Sequence, residues 1–88
     1  MDKVYRIYTE DVARERVVEA IAAKFDNFTL QPTTGFYKGK PEQSIVVEIV
    51  DAEESDIDQL AKQIRAIAGE KSVLVVILTG RAKRIEIQ

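Results

Sequence analysis

Apolar residues recur along this chain at two different periods, and each change of period marks an element. From Lys3 to Thr9 aromatic and β-branched residues predict a first strand. From Asp11 to Phe25 the residues Ala13, Val17, Ile21 and Phe25 recur every four positions, widened by Val18 and Ala20, while Arg14, Glu15, Arg16, Glu19 and Lys24 are left for water. That is the spacing of an amphipathic helix, and the acidic Glu10 and Asp11 suit the positive end of its dipole. Asp26-Asn27 closes it. Phe28-Thr29-Leu30 opens a second strand that Pro32 is expected to interrupt or bend, because proline donates nothing to a ladder; Gly35-Phe36-Tyr37-Lys38 resumes it. Gly39-Lys40-Pro41-Glu42 supplies turn chemistry, and Ser44 to Val50 predicts a third strand that closes a hairpin.

Ser55-Asp56-Ile57-Asp58 has the spacing of a capping box, with aspartate where glutamate is usual. The helix predicted after it carries one stripe of Ile57, Leu60, Ala61, Ile64, Ile67 and Ala68, and Gly69 can take the left-handed conformation that ends a helix. Ser72 to Thr79 predicts a fourth strand. Beyond Gly80 the basic residues Arg81, Lys83 and Arg84 lead into Ile85-Glu86-Ile87, which alternates like a short fifth strand or edge extension.

This order is the ferredoxin-like βαββαβ order of the α+β class. Right-handed crossovers then place two helices on one face of an antiparallel four-stranded sheet, with the short C-terminal fifth strand appended. The third and fourth strands, however, are apolar at both parities: Ile45, Val47 and Ile49 alternate with Val46 and Val50, and Val73, Val75 and Ile77 alternate with Leu74, Val76 and Leu78. A strand covered on one side should alternate apolar with polar, whereas one covered on both reads as a continuous run. Two helices shelter one face only. The other is expected to pack on a second copy of the chain through Tyr8, Val46, Val50, Leu74, Val76 and Leu78, a dimer being favoured over a trimer. The competing expectation is that the segment after Gly80 folds back over part of that face.

Composition narrows the chemistry. A chain of 88 residues makes one domain, 1–88, and buries too little surface to be more than marginally stable unaided. It contains neither cysteine nor histidine, which removes disulfides, thiolate metal sites, the cysteine nucleophile and the commonest general base. Thirteen basic against fifteen acidic residues, net charge -2, create no overall field toward nucleic acid or anionic lipid. The N-terminus lacks a signal-peptide core, and the longest apolar run, Val73 to Leu78, is too short to span a bilayer, so a soluble cytoplasmic protein is expected.

Three constellations are candidate sites. Thr34, Lys38 and Lys40 bracket the second strand with a hydroxyl, two ammonium groups and the flexible Gly35 and Gly39, a set able to hold a small anion or meet a protein partner. Arg6, Tyr37, Arg81, Lys83 and Arg84 offer stacking and phosphate contacts for nucleic acid. The third strand, aliphatic with Glu48, lacks the basic aromatic motif of RNA-recognition modules with this topology, and nucleic acid is disfavoured as a partner. Asp51, Glu53, Glu54, Asp56 and Asp58 are acidic but lack the calcium-loop glycine and distant glutamate, so no metal is expected. No nucleophile with base and orienting group is visible, and no catalytic residue or cofactor is assigned.

The stretch Phe25-Asp26-Asn27-Phe28-Thr29-Leu30, with Gly35-Phe36-Tyr37-Lys38-Gly39-Lys40 and Ser44-Ile45-Val46-Val47-Glu48-Ile49, resembles a group of small uncharacterised bacterial and phage proteins. In these a strand opening FDGFT is followed by a Gly-aromatic-aromatic-Lys-Gly turn and an SLVIEI-like strand. More distantly, the topology is similar to the trimeric nitrogen-regulatory PII proteins, whose ligands sit between subunits beside the loop joining strands two and three, here residues 38–43. The resemblance implies a PII-like topology and no established activity. The expectation is a non-enzymatic interaction or regulatory module acting as a homo-oligomer. A nucleic-acid-binding protein and a small-molecule enzyme with its site between subunits are the alternatives.

Overall fold

Six elements follow one another in the computed structural model: β1 (Asp2–Glu10), α1 (Arg14–Ala22), β2 (Thr29–Tyr37), β3 (Lys40–Val50), α2 (Glu54–Ala68) and β4 (Leu74–Gly80). The structure describes residues 2–80 together with Lys83 and Ile85. The expected fifth strand, and Arg81 and Arg84 with it, lie outside the described residues. The four strands form one sheet in the order β2-β3-β1-β4, antiparallel at every junction, which is the ferredoxin-like topology.

The core lies between the helices and one face of the central strands. Tyr5 and Ile7 from β1 and Ile45, Val47 and Ile49 from β3 meet Val17 and Ile21 from α1 and Ile57, Leu60 and Ile64 from α2, all essentially inaccessible to water. Register explains the grouping: Tyr5 pairs with Ile49, Ile7 with Val47 and Thr9 with Ile45, so one parity of both strands points at the helices. Thr9 sits in this apolar layer, and its buried hydroxyl has no hydrogen-bond partner among the described residues.

Several expected boundaries move. Pro32 does not interrupt β2, which runs unbroken and pairs Pro32 with Ile45. The reason is position: among the described residues β2 is an edge strand bonded only to β3, and an edge leaves a place where a missing N–H costs nothing. The turn expected over residues 39–42 contracts to Lys38 and Gly39, flanked by the pair Tyr37 and Lys40. Both have positive φ, 49° and 78°, the signature of a type I′ two-residue hairpin loop. β1 pairs β3 only as far as Ser44, and the Asp11 amide adds one bond to the Gln43 carbonyl, so residues 40–42 pair with β2 and the hairpin projects past the body of the sheet.

Helix α1 occupies Arg14–Ala22 instead of beginning at Asp11. Asp11 stays in the preceding loop, where its carboxylate accepts from the Arg14 guanidinium, including an Nε–H bond of 3.1 Å. The capping box at Ser55 does not form: the cap is Glu53, two residues earlier, and no side chain bonds the free amides. First-turn carboxylates Glu54 and Asp56 remain beside the positive end of the helix dipole. Gly69 ends α2 at φ 71°, as expected of a left-handed terminator. Strand β4 begins at Leu74, two residues later than expected, and reaches Gly80. No helix among the described residues is long and apolar enough to cross a membrane.

Candidate functional site: the open face of the sheet

The parity opposite the core has no helix over it among the described residues. On this side register sets Val4 between Val50 and Leu78, Arg6 between Glu48 and Val76, and Tyr8 between Val46 and Leu74. All six residues expected at a self-contact therefore share one surface: Tyr8, Val46, Val50, Leu74, Val76 and Leu78. Val50, Leu74 and Leu78 are 45%, 59% and 41% exposed, too much for core positions. Toward the other edge β2 contributes Thr29, Gln31 and Thr33, which pair with Glu48, Val46 and Ser44. The face is thus apolar over β1, β3 and β4 and polar over β2.

One ion pair lies inside the apolar part. Arg6 Nε–H donates to Glu48 Oε2 at 2.9 Å across the β1–β3 ladder, with both side chains partly exposed. The hydrogen bond to Glu48, then that to Tyr8, holds the guanidinium above even its usual pKa. Arg6, Tyr8 and Glu48, with Thr29, Gln31 and Val46, line a shallow depression of about 430 Å³. Of its polar groups, Arg6 and Glu48 are paired with each other. Arg6 is accordingly a partly exposed charge whose Nε–H already has a carboxylate partner.

A second concavity, of about 710 Å³, runs round the end of the sheet at the base of the hairpin, between Tyr8, Tyr37, Glu42, Glu70 and Lys71. Here the Glu10 amide donates to Glu70 Oε1 at 2.6 Å, tying β1 to the loop after α2.

The anion-site candidates do not converge. Thr34 pairs with Gln43 on the helix side of the hairpin, Lys40 pairs with Tyr37 on the opposite side, and Lys38 sits in the turn. All three are exposed, and Lys38 Nζ lies 5.4 Å from the Tyr37 ring centroid, a cation–π contact. Of the nucleic-acid candidates, Tyr37 is on the projecting hairpin, far along it from Arg6 at the sheet centre, and Lys83 is exposed. Among the described residues no three carboxylates gather as a metal site, the acidic run Asp51 to Asp58 included.

Sequence reasoning missed the Arg6–Glu48 pair. Its trace was available: Arg6 shares the outward parity of Val4 and Tyr8, Glu48 that of Val46 and Val50, and opposite charges directly across an antiparallel pair attract. What was lacking was the register that makes them opposite.

No protein-family model matches the chain, and no curated protein matches it. Solved structures do. A DUF3240 family protein from Shewanella baltica superposes with a TM-score of 0.73 at 10% identity, over 98% of this chain and 97% of that one. The Arabidopsis thaliana PII protein, bound to citrate, gives 0.63 at 17% identity, over 88% and 75%. A phage SAM lyase in its apo state gives 0.62 at 18% identity, over 86% and 78%. The likeness is one of fold, and the PII-like topology expected from the sequence holds at that level.

Proposed function

We propose that the protein is a non-enzymatic interaction or regulatory module that acts as a homo-oligomer, a dimer in its simplest form, joined through the open face of the sheet. One observation carries this: Tyr8, Val46, Val50, Leu74, Val76 and Leu78 form a contiguous apolar surface that neither helix covers, and the Arg6–Glu48 pair within it is internally neutralised. A surface of this kind is costly to leave in water and suits a protein partner. The Arg6–Glu48 pair is compatible with burial, because each charge brings its own counter-charge.

The non-enzymatic part of the reading rests on residue chemistry. The chain has no histidine or cysteine, and its charged contacts on the sheet and at the start of α1 are cation–carboxylate pairs that satisfy each other. The projecting hairpin, with Lys38 and Lys40 near its tip and Phe36 and Tyr37 74% and 63% exposed, is the proposed contact for an anionic or protein partner of the assembled module.

Light scattering at micromolar protein tests the assembly. The expected mass is a multiple of the chain's own, and Val46→Glu, which sets a charge in the middle of the apolar surface, is expected to lower it with the fold intact by circular dichroism. A wild-type protein that is a single chain at that concentration would overturn the proposal.

A further inference from the structure

The two edges of the sheet are built differently. β2 carries Pro32 within its length, polar Gln31, Thr33 and Thr34, and leads into Lys38 and Lys40. Proline and charge at an edge are the ordinary means of stopping another strand from joining it. β4 carries none of them. It reads Leu74-Val75-Val76-Ile77-Leu78-Thr79-Gly80, seven residues without a charge or a proline, bonded on one side to β1 and on the other to no strand among the described residues. Both sides of it are partly open to water: Leu74 and Leu78 on the open face, and Ile77, 43% exposed, on the helix side. A seven-residue segment of strong β propensity and no charge is the composition that pairs with other strands when its edge is free.

From this contrast we infer that the outer edge of β4 is itself an interface, and that its occupant is β4 of a second copy, running antiparallel about a two-fold axis so that two four-stranded sheets join into one of eight strands. Self-complementarity selects that occupant. With Ile77 opposite Ile77, Val75 falls opposite Thr79, Val76 opposite Leu78 and Leu74 opposite Gly80. Every cross-strand pair is then apolar, β-branched or small, the classes that stabilise a ladder, and no like charges meet across the axis. The backbone supplies the rest, since the outward N–H and C=O groups of β4 gain partners. Face packing is not required by this contact, which uses the edge and not the surface of the sheet.

The chain lacks cysteine, so single cysteines report the contact directly. Facing residues of an antiparallel pair lie within reach of a disulfide. Ile77→Cys is expected to form a disulfide dimer under mild oxidation at least ten times faster than Thr34→Cys, an exposed control on the other edge strand. A mixture of Val75→Cys and Thr79→Cys is expected to give mainly the mixed dimer, which fixes the register and replaces the first test should Ile77→Cys not fold. Val46→Cys, two strands inward on the open face, reports face packing separately, so either contact can fail without the other. Cross-linking of Ile77→Cys no faster than Thr34→Cys, or a Val75 and Thr79 mixture that yields no mixed dimer, overturns the inference. The second result covers the case in which another segment of the same chain occupies the edge.

Discussion

Arg6 and Glu48 face each other across the two central strands at 2.9 Å, in the middle of the apolar surface and on the side of the sheet away from both helices. In the free chain such a half-exposed, solvent-screened pair contributes little to stability. Inside an interface the same pair is worth much more, because removing one partner strands the other charge out of water. Glu48→Arg and Arg6→Glu are therefore each expected to weaken self-association at least tenfold while changing monomer stability little. The double swap should recover most of the association. Sedimentation velocity across a dilution series checks this, and single reversals that leave the mass unchanged would remove the pair from any interface.

Thr9 is a buried polar residue, 4% exposed, whose hydroxyl has no partner among the described residues. Valine has nearly its shape and none of its desolvation cost. Thr9→Val is expected to raise stability by about 1 kcal/mol, read as a higher urea midpoint at unchanged slope.

Lys38 holds a left-handed conformation at φ 49° in the two-residue turn, beside Gly39 at 78°. Asparagine tolerates that geometry better, and Asn-Gly is the favoured type I′ pair. Relief of about 1 kcal/mol of backbone strain exceeds the roughly 0.5 kcal/mol of the exposed Lys38–Tyr37 cation–π contact that is lost. Lys38→Asn should thus stabilise the fold slightly, while Gly39→Ala should destabilise it. Thermal melts of the two variants, moving in opposite directions, check the assignment.

Hydrogen bonding to Arg14 draws the Asp11 carboxyl below its ordinary pKa of 3.8. A lowered folded-state value means the unfolded chain takes up the proton first on acidification. The contribution is complete above the ordinary carboxylate range and is lost as the pH falls through the lowered value. In Arg14→Gln the Asp11 carboxyl carbon, followed by NMR, should titrate at higher pH than in the wild type. An unchanged titration would show that the contact does not persist in solution.

Much of the architecture was legible in the order and period of the apolar residues. The four-residue stripes of Val17 and Ile21, and of Ile57, Leu60 and Ile64, specify two amphipathic helices because each side chain's face follows from its position alone. Gly69 marked a helix end because few other residues take its backbone conformation readily. The double apolar parity of β3 and β4 likewise announced a surface that two helices could not cover. Local signals failed where a neighbour decides the outcome. Ser55 looked like a cap, yet α2 begins at Glu54, and Pro32 looked like a break, yet β2 continues through it.

What the chain determined by itself is therefore which side of each element is apolar, since that depends on covalent order and a fixed period. What only the tertiary structure decided is which strands are neighbours and in what register. That placed Pro32 on an edge where its missing donor is harmless, set Thr34 and Lys40 on opposite sides of the hairpin, and brought Glu48 opposite Arg6. Strand pairing joins residues dozens of positions apart through backbone groups that every residue shares, and no local pattern of side chains encodes it.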